Sequence, residues 1–215
     1  MSTSRLLDWD HNAWYHRLLL RQVPPGAARV LDVGCGAGAL AGELARRADR
    51  VDAVDRDPAM VALARARVPA NVAVQQADAL TVDLPAGAYD AVLSMSALHH
   101  LPTAEALTRM AGWLRPGGVL AAVAPPRIDL PRDVPVELAA VVGHRALGTA
   151  FAAGRALTGR PLFVHPPDHD VMPVQDPQLS TGQVRVAAAQ VLPGVRVRRL
   201  VFWRYLLTWT TPLPE

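Results

Sequence analysis

Short apolar runs alternate with longer stretches of helix-forming residues through the first half of the chain. The runs are rich in Val, Leu and Ala and lie at residues 30–33, 51–55, 72–76, 89–95 and 119–124. Apolar runs without polar alternation are typical of strands that a parallel sheet buries on both faces. The stretches between them, at residues 39–48, 58–67 and 102–114, have helical composition. This order predicts an α/β fold with a mainly parallel sheet.

Segments on either side of this alternating core predict further elements. In residues 1–25, Trp9, Trp14 and Leu18 recur at helical spacing, which predicts one or two amphipathic helices laid against the domain as a lid. Residues 125–178 are rich in proline and contain a helical stretch at 137–156 that is mostly Ala, Val and Leu. We interpret this segment as an inserted helical cap over a pocket, with additional core as the alternative.

The last part of the chain, residues 179–215, is predicted to return to the sheet. Ser180 and Gln183 have the spacing of a capping box and begin a helix that ends near Val191. Residues 195–210 are rich in β-branched and aromatic residues and predict two antiparallel strands at the sheet edge. At 215 residues and 51% hydrophobic content, we expect a single domain with residues 26–124 as its ligand-binding core.

A glycine-rich turn directly follows the first predicted strand. Gly34, Gly36 and Gly38 lack a Cβ, so a ligand could lie against the backbone N–H groups of this turn. The same residues also satisfy the dinucleotide-binding pattern of nicotinamide enzymes. The glycines alone therefore leave the ligand open.

Three aspartates accompany the turn at characteristic places. Asp32 stands just before the glycines, Asp55 ends the second predicted strand, and Asp78 follows the third. A further signal is the Leu-Arg-Pro-Gly-Gly run at residues 114–118, before the fifth strand. Asp57, followed by Pro58, supplies the cap of the next helix, which leaves Asp55 for a ligand. Together these signals resemble the class I S-adenosylmethionine-dependent methyltransferases over residues 30–123.

The resemblance implies a fold, a cofactor and a set of cofactor-binding residues. The fold would be a Rossmann-like, doubly wound, seven-stranded sheet that is mostly parallel and ends in an antiparallel pair of strands. The cofactor would be S-adenosylmethionine, with Asp55 on the ribose hydroxyls and Asp78 on the adenine amine beside the Ala79 amide. The full predicted set in the core is Asp32, Gly34, Cys35, Gly36, Gly38, Asp55, Arg56, Asp78, Ala79 and Ser94.

Two residues of the N-terminal segment are further cofactor candidates. In the family that the chain resembles, the segment before the first strand often closes over the cofactor and the acceptor. Tyr15 and His11 are therefore candidate lid residues, with surface solvation and capping as the alternative.

His99 and His100 are the candidate catalytic residues, because they follow the strand at which the sheet order should reverse. Histidine is the side chain best matched to proton removal at neutral pH, which a hydroxyl or acidic carbon acceptor requires. Adjacent side chains point apart, so we expect at most one of them to face the acceptor. The alternative is that neither acts and that the enzyme works by positioning alone.

No metal is expected. Some small-molecule O-methyltransferases that the chain resembles hold a divalent ion through a Glu-x-x-Glu-His run at this location. Here residues 96–100 read Ser-Ala-Leu-His-His, without the carboxylates that magnesium prefers. A second group, His165, Asp168, His169 and Asp170, lies between prolines and is interpreted as solvated.

The composition of the chain limits the classes of partner that we expect it to bind. The formal charge is +3, but all basic side chains are Arg and none is Lys, which we attribute to genomic base composition and not to a nucleic-acid footprint. Cys35 stands alone and cannot form an internal disulfide, and we expect it to fill space. No apolar run is long enough to span a membrane. We expect a cytoplasmic monomer or homodimer.

The predicted function is methyl transfer to an O, N or C atom of a small, mainly apolar metabolite. An RNA or protein methyltransferase is one alternative, although residues 96–100 lack the Asn/Asp-Pro-Pro-Tyr/Phe type of run. A non-catalytic cofactor-binding domain is another. A nicotinamide dehydrogenase is a weaker possibility, because Asp78 and the antiparallel ending disfavour it.

Overall fold

The computed structural model describes residues 7–165 and 175–214, which contain a single seven-stranded sheet with helices on both faces. The strands are β1 (Ala27–Val33), β2 (Ala48–Asp55), β3 (Val72–Gln76), β4 (Tyr89–Met95), β5 (Leu114–Ala124), β6 (Arg196–Leu200) and β7 (Arg204–Thr210). The helices are α1 (His11–Leu20), α2 (Ala39–Leu44), α3 (Pro58–Arg67), α4 (Thr103–Trp113), α5 (Val134–Thr158) and α6 (Thr181–Val191), with a 3₁₀ turn at Leu98–His100.

The sheet has the order β3-β2-β1-β4-β5-β7-β6. β1 to β5 run parallel, whereas β7 pairs antiparallel with both β5 and β6. The predicted fold class is thereby confirmed. The strand order reverses between β1 and β4, and ligands of doubly wound sheets bind beyond the carboxyl ends of the strands at such a point.

Two apolar layers cover the faces of the sheet. One contains Trp9 and Leu19 from the N-terminal segment together with Leu44 of α2. The other contains Leu107 of α4 and Leu192 after α6. Because both faces are covered, β4 is buried along its whole length, which explains its lack of polar alternation.

Several predicted boundaries follow from side-chain caps that the structure confirms. Asp57 accepts hydrogen bonds from two backbone amides at the start of α3, and Pro58 occupies the first turn. Ser180 and Gln183 form the predicted capping box of α6. Asp10 caps α1 in the same manner as Asp57 caps α3.

Two boundaries were predicted wrongly. The helix expected at 39–48 ends at Leu44, and β2 begins at Ala48 because Ala48 already pairs with Ala27 of β1. The expected turn at 114–118 belongs to β5, since Leu114 pairs with Tyr89 across an irregular register.

The segment predicted as a cap contains α5, which is longer than the expected helix and stands largely on the surface. Only Ala140 and Gly148 among its residues are buried. Glu137 connects α5 to the β6–β7 hairpin through 2.6 Å and 2.7 Å contacts with Arg199 and Trp203. Among the described residues, no helix is both long and apolar enough to cross a bilayer.

Candidate active site

A crevice opens at the carboxyl ends of β1 to β4, where the strand order reverses. Its walls come from the loops after these four strands and from the N-terminal segment. Residues of the predicted set that line it are Asp32, Gly34, Cys35, Gly36, Asp55, Arg56, Asp78, Ala79 and His100. Further lining residues, which were not among the predicted site residues, include Asp10, Asn12, His16, Asp57, Met60, Arg67, Ser96, Ala97 and Leu101.

The three glycines of the turn serve different purposes. A Cβ on Gly34 would lie 2.1 Å from the Cβ of Ala97, so this glycine allows the loop after β4 to approach. A Cβ on Gly38 would lie 2.8 Å from Val68, so Gly38 allows α2 to approach α3 and does not line the crevice. Gly36 has a φ of +52° and open space on its side. Gly36 is therefore the position at which a ligand could approach the backbone.

Four backbone N–H groups of the turn are already paired within the protein. Gly34 and Cys35 donate to the carbonyl of Val54, and Gly38 donates to that of Cys35. Gly36 donates to Oδ2 of Asp55 at 2.8 Å. These four N–H groups therefore shape the turn itself, and the expectation that a ligand lies against the N–H groups of the turn stays a prediction.

Asp55 is more engaged than expected. Besides Gly36, its carboxylate accepts from the amide of Asp57 through Oδ1 at 2.9 Å. A carboxylate has about four acceptor positions, so both oxygens can still accept from a ligand. Asp55 therefore shapes the turn and also lines the crevice.

The predicted adenine end of the site is also in the crevice. Asp78 lines it, and Oδ1 of Asp78 accepts from the amide of Leu80 at 2.8 Å. The carbonyl of the adjacent Ala79 accepts from Arg109 at 3.1 Å, which fixes the loop to α4. Arg56 lines the crevice next to Asp55.

Asp32 is the most unusual group of the site. It is completely buried, and neither carboxylate oxygen has a hydrogen-bond partner among the described residues. Burial raises its pKa to about 7, the charge of His16 opposes this, and the charge of Asp55 adds to it. The backbone amide of Ala41, which is near but outside hydrogen-bond geometry, lowers the pKa least. A buried acceptor without a donor is costly. Asp32 therefore favours a ligand that brings a positive charge or an N–H group.

Ser94 and Cys35, both predicted cofactor residues, differ in their relation to the crevice. Ser94 is buried, does not line the crevice, and donates to the carbonyl of Val33 at 2.9 Å, which ties β4 to β1. Cys35 does line the crevice, but burial raises the pKa of its thiol, so it is not a nucleophile at neutral pH.

The N-terminal helix reaches the crevice with a different face from the one expected. Tyr15 and His11 do not line it. The Tyr15 hydroxyl accepts from the amide of Phe202, and His11 contacts His144 at 3.1 Å in an aromatic cluster. Asn12 and His16, four residues apart and hence on one face of the helix, line the crevice instead.

A polar network connects the loop after β4 to α1 and β7. Ser96 has a φ of +54°, an uncommon conformation for a residue with a side chain. Its hydroxyl donates to Oδ1 of Asn12 at 2.8 Å, and Arg204 of β7 donates to the same oxygen at 3.1 Å. The ends of the chain therefore meet at this wall of the crevice.

The rings of His99 and His100 lie against each other, with centroids 3.9 Å apart, so the expectation that these adjacent side chains point apart is wrong. Their environments nevertheless differ. His100 lines the crevice, and its Nδ1 lies 3.1 Å from Oε1 of Gln175. The His99 ring lies outside the crevice, with its Nδ1 buried and without a partner among the described residues. Burial lowers the pKa of His99 to about 4, with the charges of His100 and Arg204 as smaller causes. His99 is therefore neutral, and a weak base, near pH 7.

A second cavity adjoins the crevice, and His100 and Leu101 belong to the walls of both. Its other walls come from the start of α4, the end of β5 and the region before α6. Its apolar lining residues are Leu101, Pro102, Pro125, Pro177, Leu179, Val184 and Tyr205, and its polar ones include His99, Thr103, Gln175 and Gln178.

No group of three metal-ligating side chains with suitable geometry occurs in residues 7–165 and 175–214. His165 lies 3.8 Å from Asp8. The other members of the histidine and aspartate group considered above, Asp168, His169 and Asp170, lie outside the described residues.

A doubly wound sheet of this order, with acids at or near the carboxyl ends of its first three strands, is typical of Rossmann-like S-adenosylmethionine-dependent methyltransferases. A family model described as "Methyltransferase domain" matches residues 30–118. An uncharacterized methyltransferase of Mycobacterium tuberculosis strain H37Rv is 36% identical over 95% of this chain and 98% of its own length. The chain therefore belongs to the methyltransferase family, whose cofactor is S-adenosylmethionine.

Two further relatives show how far the similarity extends. A ubiquinone biosynthesis O-methyltransferase of Xanthomonas axonopodis pv. citri is 40% identical over 105 residues, which are 46% of this chain and 44% of that protein. The crystal structure of N-methyltransferase NodS from Bradyrhizobium japonicum, in complex with S-adenosyl-L-homocysteine, superimposes with a TM-score of 0.61. It shares 16% identity and covers 96% of this chain and 90% of its own. This likeness shows the fold.

Proposed function

We propose that this protein transfers a methyl group from S-adenosylmethionine to an O, N or C atom of a small, mainly apolar metabolite. The observation that carries the donor side is the buried carboxylate of Asp32 without a partner, at the base of a crevice that Asp55 and Asp78 also line. Three acids at the ends of three successive strands suit a ligand with an ammonium group, ribose hydroxyls and an exocyclic amine.

Each acid has a distinct part in this proposal. Asp32 receives the α-ammonium of the methionine portion, which supplies the donor that its buried oxygens lack. Asp55 accepts from the ribose hydroxyls with the lone pairs not used by Gly36 and Asp57. Asp78 accepts from the adenine amine beside Ala79. Gly36, with no Cβ on its open side, leaves room for the nucleoside.

The acceptor side of the proposal rests on the second cavity. It shares His100 and Leu101 with the crevice, so an acceptor bound there would lie next to the donor site. Most of its lining side chains are apolar, and Thr103, Gln175 and Gln178 supply a few polar groups. Such a mixture is typical of sites for small organic molecules. The similarity to an O-methyltransferase of ubiquinone biosynthesis supports the same class of acceptor.

Catalysis in this proposal is mainly positioning. When bound, the cofactor would supply a methyl group on a cationic sulfur, which an acceptor lone pair would take while the C–S electron pair stays on sulfur. His100 takes the acceptor proton where the acceptor is a hydroxyl or an acidic carbon, because it stands where the two cavities meet. The walls of the crevice hold the two reactants in line and exclude water.

One experiment distinguishes the proposal from two alternatives, an RNA or protein methyltransferase and a non-catalytic cofactor-binding domain. The protein is incubated with donor labelled in its methyl group and, separately, with small-molecule, RNA and protein fractions of a cell extract. Label in a small molecule supports the proposal, whereas label only in RNA or protein contradicts it. Donor binding measured by calorimetry without any transfer would identify a non-catalytic binding domain.

A further inference from the structure

His16 of α1 lines the cofactor crevice although its side chain is almost wholly buried. Its Nδ1 lies 2.7 Å from Oε1 of Glu43 on α2. A carboxylate only accepts, so Nδ1 carries a proton and donates it to Glu43, and this contact fixes the ring orientation.

The other ring nitrogen remains for a ligand. The hydrogen bond of His16 within the described part of the chain uses Nδ1, which leaves Nε2. His16 also interacts electrostatically with Asp32, because its charge lowers the pKa of that carboxyl against the effect of burial. An acid without a partner and a histidine with one unused nitrogen thus stand at the same end of the crevice.

Asp32 and His16 together suit the α-ammonium and the α-carboxylate of an amino acid. We propose that His16, oriented by Glu43 and carrying a proton on each ring nitrogen, donates from Nε2 to the α-carboxylate of the methionine portion of S-adenosylmethionine while Asp32 binds the α-ammonium. The inference rests on the function proposed above. Asp10, which also lines the crevice, is an acid and would repel a carboxylate. Arg56 is adjacent to Asp55, the acid that we place on the ribose. Arg67, at the end of α3, already has an interaction within the protein.

The test compares two ligands that differ only at this end. S-adenosylhomocysteine carries the amino-acid portion, whereas 5′-methylthioadenosine has the same nucleoside without it. Two variants distinguish the contributions of the two ring nitrogens of His16 to binding. His16→Asn places an amide nitrogen near the position of Nδ1 and removes Nε2; His16→Gln extends a donor toward the position of Nε2.

We expect His16→Asn to weaken S-adenosylhomocysteine binding at least tenfold in calorimetry, while 5′-methylthioadenosine binds within twofold of the wild type. We expect His16→Gln to recover part of the loss. Glu43→Gln, which leaves the histidine in place, should also weaken S-adenosylhomocysteine selectively, by a smaller factor. This third variant serves as the test if the His16 variants do not fold.

Equal weakening of both ligands, or no weakening of either, would overturn the assignment of His16 and leave the proposed function intact. If the wild-type protein binds neither ligand, the proposed function itself fails. The two failures are therefore distinguishable within one set of titrations.

Discussion

At the scale of single residues, the three glycines of the turn are the same residue type but are required for different steric reasons. Gly34 and Gly38 face other parts of the protein, and only Gly36 has open space where a Cβ would stand. The sequence predicts the turn, but it does not contain the distances that separate these roles. The acids at the strand ends were better predicted, because Asp32, Asp55 and Asp78 all line the crevice.

Alanine substitutions should separate the two kinds of glycine. Gly36→Ala should lower the free energy of unfolding by about 1–2 kcal/mol, the cost of a left-handed conformation, and should weaken cofactor binding because its methyl group enters the crevice. Gly34→Ala should destabilise more, since Ala97 would have to move. Gly112→Ala, in an open position of α4, should stabilise by about 0.5–1 kcal/mol.

Chemical denaturation and calorimetry on the three variants check this. A Gly36→Ala protein that binds the cofactor as tightly as the wild type would contradict the placement of the ligand against the turn.

Asp32→Asn should weaken cofactor binding and raise the stability of the cofactor-free protein at pH 8. In the folded protein without cofactor, the pKa of Asp32 is raised from 3.8 to about 7, so the folded state binds more protons than the unfolded state between these values. The stability contribution of Asp32 is therefore lost as the pH rises from about 4 to 7. The variant lacks this loss, so its melting temperature at pH 8 should exceed that of the wild type, while its cofactor affinity falls.

Melting temperatures at pH 5 and pH 8, measured without cofactor, provide the comparison. A wild-type advantage at pH 8 would mean that Asp32 has a partner within the protein.

The two adjacent histidines should differ in the rate of methyl transfer. His100→Ala should lower kcat by about 10²–10⁴-fold if the acceptor loses a proton, since His100 lies at the junction of the two cavities. His99→Ala should have the smaller effect on kcat, because the pKa of His99 is lowered to about 4. Turnover is measured on the labelled product, with donor affinity measured alongside. Turnover within threefold of wild type for both variants would assign catalysis to positioning alone.

At the scale of elements, helix α1 illustrates what a pattern determines and what it leaves open. The spacing of Trp9, Trp14 and Leu18 predicts the helix, and the helix is present. Its rotation about its own axis depends on tertiary contacts, such as the Tyr15 hydroxyl at the amide of Phe202, far away in the sequence. Asn12 and His16 therefore reach the crevice in place of His11 and Tyr15.

Helix α5 depends on Glu137 for its attachment to the β6–β7 hairpin. Glu137→Gln should lower the free energy of unfolding by about 1–3 kcal/mol, because Arg199 loses a charged partner in a part-buried contact. Trypsin should then cleave α5 faster at its arginines, such as Arg145. Asp83→Asn, an exposed loop acid, is the control and should change stability by less than about 0.5 kcal/mol. Equal cleavage rates in both variants would contradict the role of Glu137.

At the scale of the whole molecule, the cofactor crevice is a junction of four loops. Asp55 accepts from the amides of two of them, through Gly36 and Asp57. The alternation of strands and helices in the sequence predicts the class of such a sheet. It does not predict the position of β7 between β5 and β6, because the register of antiparallel strands is decided by distant partners.

Binding and stability should therefore be linked through Asp55. S-adenosylhomocysteine at about 100 times its dissociation constant should stabilise the wild type by about 2.7 kcal/mol. Asp55→Ala should weaken binding by about 1.5–3 kcal/mol, as expected for charge-assisted hydrogen bonds. The same variant should be less stable without ligand, since two amides lose their acceptor. Calorimetry and thermal denaturation test both statements, and an unchanged affinity would contradict the ribose assignment.

The contact between Asn12 and Arg204 has a consequence for how the protein is made. These residues are 192 positions apart, so the wall formed by Asn12 and Ser96 is secured by the last strand of the sheet. On a translating ribosome, the loops around the glycine turn emerge long before Arg204 does. A nascent chain therefore cannot complete its cofactor site during most of its synthesis, and a prematurely terminated chain that lacks β7 should not sequester cofactor from finished enzyme.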